Sequence, residues 1–161
     1  MNIGIIIHSQ TGHTLSVAQK LKESLTAQGH QATVAQVTGI SDGSDRAHVQ
    51  LTSAPDVSGY DALVFGAPVQ GFALSRVMTA YMSSLPSLPR KIAALLTTQQ
   101  LPFDWMGGNQ AIRQMEALCA AQNAAVCGTC IIHWGNETRR DQQSSQAVIH
   151  LQAAVLLPSL I

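Results

Sequence analysis

The 161-residue chain is short of charge. Nine Lys and Arg face nine Asp and Glu, 11% of the residues, for a formal net charge of zero with His neutral. Without a basic excess there is no field to attract nucleic acid, and no RNA- or DNA-recognition motif appears. Disulfide chemistry is also poorly supplied. The three Cys are an odd number and outline no disulfide framework. Cys127-Gly128-Thr129-Cys130 has redox spacing, but it falls in a segment that reads as a strand. There, residues three apart point to opposite faces, and no helix N-terminus stabilises a thiolate. None of the six His stands at metal-ligand spacing from another His, Cys or acid, so no metal is expected. No uncharged apolar run is long enough to cross a bilayer. The first apolar run has no charged segment before it, so no signal peptide is expected and the cytoplasm is the expected location. What the chain does have is 46% hydrophobic residues, enough for a globular core, in a length that fits a single domain over residues 1–161.

One further absence falls in the most informative stretch. Ser9-Gln10-Thr11-Gly12-His13-Thr14 follows the apolar run Ile3-Gly4-Ile5-Ile6-Ile7 and precedes a helical pattern, with no Lys or Arg between Met1 and Gln19. A strand, a hydroxyl-rich loop and a helix start form an anion cradle, because free backbone N–H groups and the helix dipole favour negative charge. Ser9, Thr11 and Thr14 add three hydroxyls. A nucleotide triphosphatase would need the P-loop Lys. A dinucleotide fold would need three glycines at this turn, where only Gly12 stands. A cysteine phosphatase would need its nucleophile here, and the three Cys lie at 119, 127 and 130. A phosphate monoester held without turnover remains. The plain alternative is a capping loop of the ordinary kind, since Ser and Thr are favoured at helix starts.

The rest of the chain alternates strand and helix. Strands are predicted over residues 2–8, 31–37, 62–67, 91–97 and 124–134. Helices are predicted over 13–28, from Leu74 to Leu85, over 109–122 and over 137–157. Leu15, Ala18, Leu21 and Leu25 form one face of the first helix, and Gly29 stops it. Residues 38–60 break the alternation. A turn at 39–45 and a strand-like alternation at 47–52 predict an edge hairpin, followed by a helical turn near 55–60; a surface loop is the alternative. Alternating elements imply a parallel sheet covered by helices on both faces, with every strand ending at one edge. Ligands bind at that edge, where the strand order reverses.

Two more loops reach that edge if the order is 2-1-3-4-5. The first follows the third strand, Gly66-Ala67-Pro68-Val69-Gln70-Gly71-Phe72. The second follows the fourth strand, from Thr97, Thr98 and Gln99 through Phe103-Asp104-Trp105-Met106 to Gly107-Gly108, whose glycines allow close backbone approach. Of seven aromatic residues (two Trp, two Tyr, three Phe), Phe72, Phe103 and Trp105 fall here. Rings on connections must pack on something: a flat ligand, or one another.

These residues carry a resemblance. The Ser-x-Thr-Gly-x-Thr loop at 9–14, Tyr60-Asp61-Ala62-Leu63-Val64-Phe65-Gly66-Ala67-Pro68-Val69, and Gly107-Gly108-Asn109-Gln110 opening a helix are similar to the flavodoxin family in order and spacing. The resemblance covers nearly the whole chain. It implies a flavodoxin-like three-layer α/β sandwich with a five-stranded parallel sheet, order 2-1-3-4-5. It also implies non-covalent FMN and electron transfer, or reduction of a small acceptor such as a quinone or a flavin, with NAD(P)H as one candidate donor. By position, Ser9, Gln10, Thr11, Gly12, His13 and Thr14 would take the phosphate. Pro68, Val69, Gln70, Gly71 and Phe72 would line one side of the flavin. Thr98, Gln99, Phe103, Trp105, Gly107 and Gly108 would line the other. The partner would be a small acceptor or a redox protein, and the weakly charged surface permits a homodimer. The sequence departs from the family's acidic electron carriers, because Asp104 is the one acid in the three loops. His8 and His13 flank the phosphate loop, His8 reading as a strand-end residue. The alternative to a flavoprotein is a scaffold of this fold that binds flavin poorly and serves a binding or structural role.

Overall fold

The computed structural model describes residues 1–41 and 48–157. The elements run β1 (Asn2–Ile7), α1 (His13–Ala27), β2 (Gln31–Gln36), β3 (Thr38–Ser41), β4 (Val49–Ser53), β5 (Ala62–Gln70), β6 (Ala73–Leu74), α2 (Arg76–Ser83), β7 (Ile92–Gln99), α3 (Gly108–Ala121), β8 (Ala125–His133) and α4 (Glu137–Leu156). The main sheet has the order β2-β1-β5-β7-β8, all parallel, with β6 added antiparallel to β5. The expected 2-1-3-4-5 path is present, with one short strand more.

Strand alternation divides the core in two. Ile3, Ile5, Ile7, Ala62, Val64, Ala94 and Leu96 face α1 and α4, where Val17, Ala18, Leu21, Leu25, Leu151 and Val155 meet them. Ile6, Leu63, Phe65, Ala67, Ala93 and Leu95 face α2 and α3, against Val77, Met78, Tyr81, Ile112 and Met115. The period of two along each buried strand assigns these sides directly. Gly4 is required by packing: a Cβ there would lie 2.5 Å from the Tyr60 ring.

Several expectations change in detail. The hairpin at 38–60 exists, but β3 and β4 form their own two-stranded sheet. It rests on α2, where Gly39 lets the backbone approach Val77. The predicted turn at 39–45 begins instead as strand, since 39–41 belong to β3; its remainder, and the start of the predicted 47–52 strand, lie outside the described residues. Residues 55–60 form a turn at Ser58–Gly59 and not a helical one, because Asp56 accepts from the Ser58 N–H (3.0 Å) and hydroxyl (2.9 Å) instead. The third strand runs three residues past Ala67, to Gln70. Pro68 is compatible with it because β1 has already ended at Ile7, opposite Gly66. Gly66 O accepts from His8 N, so the nitrogen two residues on faces the side where no partner strand remains. Leu74 belongs to β6, and the second helix starts at Arg76, capped by Ser75, whose hydroxyl accepts from Met78 N (3.3 Å).

A bulge in β8 sets Val126 opposite Ala93 and Gly128 opposite Ala94, leaving Cys127 unpaired between them. It breaks the strict alternation behind the opposite-face expectation for Cys127 and Cys130. Both thiols are free, and burial pushes Cys130 up to about 11, away from the thiolate form.

Candidate functional site

The C-terminal ends of β1, β5 and β7 bring the three loops together. One cleft is lined by Gln10, Thr11, His13, Pro68, Val69, Thr98 and Gln99. A second adjoins it through Val69 and Gln99 and continues along Gly71, Phe72, Leu101 and Met106. Their volumes are about 140 and about 200 Å³. Both are smaller than the ~300 Å³ at which ligand pockets begin.

The first loop is built as an open cradle. Gly12 precedes α1 in the left-handed region (φ 85°), and a Cβ there would meet no atom within 4 Å. Ser16 N donates to Gly12 O, and Leu15 N to Ser9 Oγ at 3.4 Å. The first turn of α1 contains no acid. The helix therefore presents its first N–H groups to an open, acid-free loop. Gln10, Thr11 and Gly12 are exposed, and Ser9 and His13 are half-buried. Thr14 is different. It is 1% exposed, and its hydroxyl shares a 3.0 Å hydrogen bond with Thr98, which ties α1 to β7 beneath the cleft. Gly66 lets the Thr14 methyl approach β5: a Cβ there would lie 3.1 Å from it.

The second loop is a hairpin turn. Gly71 (φ 56°) and Phe72 (φ 63°) sit between β5 and β6, both left-handed, as a two-residue turn of primed type demands. For Phe72 this backbone is strained, and its ring is 61% exposed.

The third loop is fastened from below and from the side. Gln99, almost fully buried, donates from Nε2 to Leu101 O (2.7 Å) and Phe103 O (2.8 Å). Its Oε1 is buried without a partner, packed where a Cβ on Gly108 would clash at 2.3 Å. Gly107 (φ 119°) presses on the second loop: a Cβ there would lie 2.5 Å from Val69 Cγ1 and 3.0 Å from Phe72 Cα. Phe103 and Trp105 stack on each other at 6.0 Å with planes 7° apart, and both rings stay more than half exposed.

The connection from β8 to α4 completes the site from an unexpected quarter. Trp134 N donates to Gln99 O (2.7 Å), and Arg139 Nη1 to Pro102 O (2.7 Å). His133, buried at the end of β8, meets Gln143 of α4 and lies 2.7 Å from Asp104 Oδ1. At that distance Nε2 and the carboxylate are in contact without an aligned hydrogen bond. The Trp134 ring stacks on His13 at 4.5 Å and 15°. His133, Trp134 and Arg140 were not among the expected site residues. One signal pointed to them: two arginines early in α4, where the helix dipole disfavours cations, so that another partner must hold them.

His8, which directly precedes the loop, is buried and shares a 2.9 Å hydrogen bond from Nδ1 with Ser75 Oγ. Burial lowers its pKa. Among the described residues no group of three His, Cys, Asp or Glu could hold a metal ion, and no helix is long and apolar enough to cross a membrane.

No family model matches the chain, and no curated protein matches it in sequence. Solved structures do match. A flavodoxin from Streptococcus pneumonia TIGR4 is 18% identical, with a TM-score of 0.67, over 96% of this chain and 100% of that one. A short-chain flavodoxin associated with a non-canonical PDU bacterial microcompartment is 13% identical, with a TM-score of 0.66, over 99% of each. The Trp repressor binding protein of Bacillus subtilis is 17% identical, with a TM-score of 0.61, over 93% of this chain and 100% of that one. The chain has the flavodoxin fold.

Proposed function

We propose that this protein binds FMN non-covalently at the edge formed by β1, β5 and β7 and uses it to pass electrons to a small acceptor. The observation that carries the reading is the convergence of an open, acid-free loop at the start of α1 with two loops rich in exposed rings. The residues suit the cofactor. The first N–H groups of α1 and the hydroxyl of Thr11 would receive the phosphate, and Gly12 leaves room for it. Val69, Gly71, Phe72, Thr98 and Gln99 line the clefts that would take the flat ring. When bound, FMN supplies one- or two-electron redox chemistry; the chain binds it, orients it and limits its contact with water.

A weakly charged surface with no net charge favours a small planar acceptor, such as a quinone, over a basic redox protein. Asp104 is the one acid in the three loops, and it lies 2.7 Å from His133. Phe103 and Trp105 offer exposed aromatic surface on which a flat molecule can stack. A second reading, a scaffold that binds flavin poorly, draws on the contact of Gly107 with Val69, which narrows both clefts.

Titration with FMN separates the two. The flavoprotein reading expects a flavin visible spectrum and quenched flavin fluorescence at one equivalent. Colourless protein with unquenched FMN would leave the scaffold reading standing. Steady-state assays with NADPH and a quinone, against a cytochrome or ferredoxin acceptor, then distinguish an enzyme from a carrier.

A further inference from the structure

The phosphate loop contains no cation in sequence, yet the fold brings one to it. Trp134, at the end of β8, stacks its indole on the His13 imidazole at 4.5 Å. The Arg140 guanidinium carbon lies 5.6 Å from the centroid of the same indole, and its Nη1 donates to Trp134 O at 3.3 Å. His13 is the first residue of α1 and lines the cleft beside Gln10 and Thr11. Arg140 has no carboxylate partner among the described residues. Its position four residues into α4 opposes the helix dipole, and the indole and its carbonyl are what it meets there. Arg139 beside it is used differently, to hold Pro102 O.

We infer that Arg140, held by Trp134 behind His13, supplies the positive charge that the phosphate loop itself lacks and selects a phosphorylated flavin over an uncharged one. This rests on the FMN reading above. Trp134 acts as a positioning residue: its ring stacks on His13, and its ring and carbonyl hold the guanidinium. His13 is the residue of the loop that meets the Trp134 ring. Burial first and Arg140 second hold the His13 imidazole below its usual pKa. A neutral imidazole can donate to a phosphate oxygen while the guanidinium provides the field.

The test compares FMN with riboflavin, which share the ring and differ in the phosphate. Dissociation constants are measured by fluorescence quenching for wild type, Arg140→Gln, Arg140→Lys, Arg139→Gln and Trp134→Leu, at low and high salt. Arg140→Gln is expected to weaken FMN about tenfold, the scale of one charge acting across several ångströms near a surface, and to leave riboflavin unchanged. Arg140→Lys should recover most of the loss, and Trp134→Leu should lower the FMN-to-riboflavin preference as Arg140→Gln does. Arg139→Gln should leave the preference intact. The wild-type preference should fall with salt, and the Arg140→Gln preference should hardly move. An unchanged preference in Arg140→Gln overturns the inference while leaving FMN binding in place. A wild type that binds neither flavin overturns the FMN reading and this inference with it. Circular dichroism of each variant shows whether a loss reflects unfolding; if Arg140→Gln unfolds, the salt response of wild type and Arg140→Lys decides.

Discussion

Two glycines stand at the two ends of the site, and the same residue type does different work at each. Gly12 opens the loop before α1 with a positive φ and empty space where a side chain would go. Gly107 closes the ring end with a positive φ and no space at all, its backbone set against Val69 and Phe72. The phosphate end is held from beneath, by Thr14 on Thr98, and left open above. The ring end is held by contact between its own two loops and by Gln99, with its aromatic rings turned outward. On the FMN reading, the first end would take the phosphate and the second the flat ring.

The largest effect should come from filling the closed glycine. Gly107→Val combines a left-handed backbone unsuited to a β-branched residue with overpacking against Val69 and Phe72. At about 1–3 kcal/mol for each, roughly 2–6 kcal/mol of stability is lost. Gly12→Ala carries only the backbone penalty of about 1–2 kcal/mol. Urea unfolding of the two variants checks the difference, and equal losses would show that the two ends are not built differently.

Gln99→Leu attacks the ring end without touching the phosphate end. It removes two donated hydrogen bonds, each worth about 1 kcal/mol, and with them the buried orphan Oε1, so a net loss of roughly 1–2 kcal/mol is expected. Hydrogen exchange should rise across residues 100–107 while α1 keeps its protection. Uniform loss of protection in both loops would mean they are one cooperative unit.

Thr14 and Thr98 are the counterpart at the other end. Thr98→Val strands a buried hydroxyl at a cost of about 1–3 kcal/mol, and Thr14→Val does the same from the other side. The double variant removes both hydroxyls, so its loss should be smaller than the sum of the single losses, with a coupling of about 1 kcal/mol. Additive losses would mean that the bond does not join the helix to the strand.

How far these ends could be read from sequence follows from the range of the interactions. The apolar alternation of Ile3, Ile5 and Ile7, the run at 62–67 and the stop of the first helix at Gly29 are local, so the elements were legible; the strand order came from the family resemblance. The hairpin at Gly71-Phe72 was hidden because Pro68 and two glycines read as a loop, and a left-handed Phe is something a sequence pattern does not anticipate. Thr14 and Thr98 were both singled out as ligand contacts, but their bond to each other spans 84 residues and emerges only on folding. Trp134 and Arg140 were missed for the same reason. Their partner, His13, is more than a hundred residues away, and attention to three strand ends left the fourth, at β8, unread.

The smallest effect concerns His8, between the hairpin side and the loop before α1. His8 is buried against Ser75, and burial lowers its pKa below the ordinary value of 6.5. The unfolded chain therefore takes up a proton at a pH where the folded chain does not. His8 costs the fold nothing above about pH 6.5; as pH falls below that value, the unfolded state is favoured progressively until the folded pKa is passed. One proton limits the slope to about 1.4 kcal/mol per pH unit. His8→Asn keeps a polar group near Ser75 and removes the titration, so its stability should fall less steeply than that of wild type between pH 6.5 and 5. Because His8 supports Ser75, the cap of α2, and lies directly before Ser9, this slope should appear in the melting temperature. An equal acid slope in both proteins would assign the titration elsewhere, with His13 the next candidate, since its pKa is lowered as well.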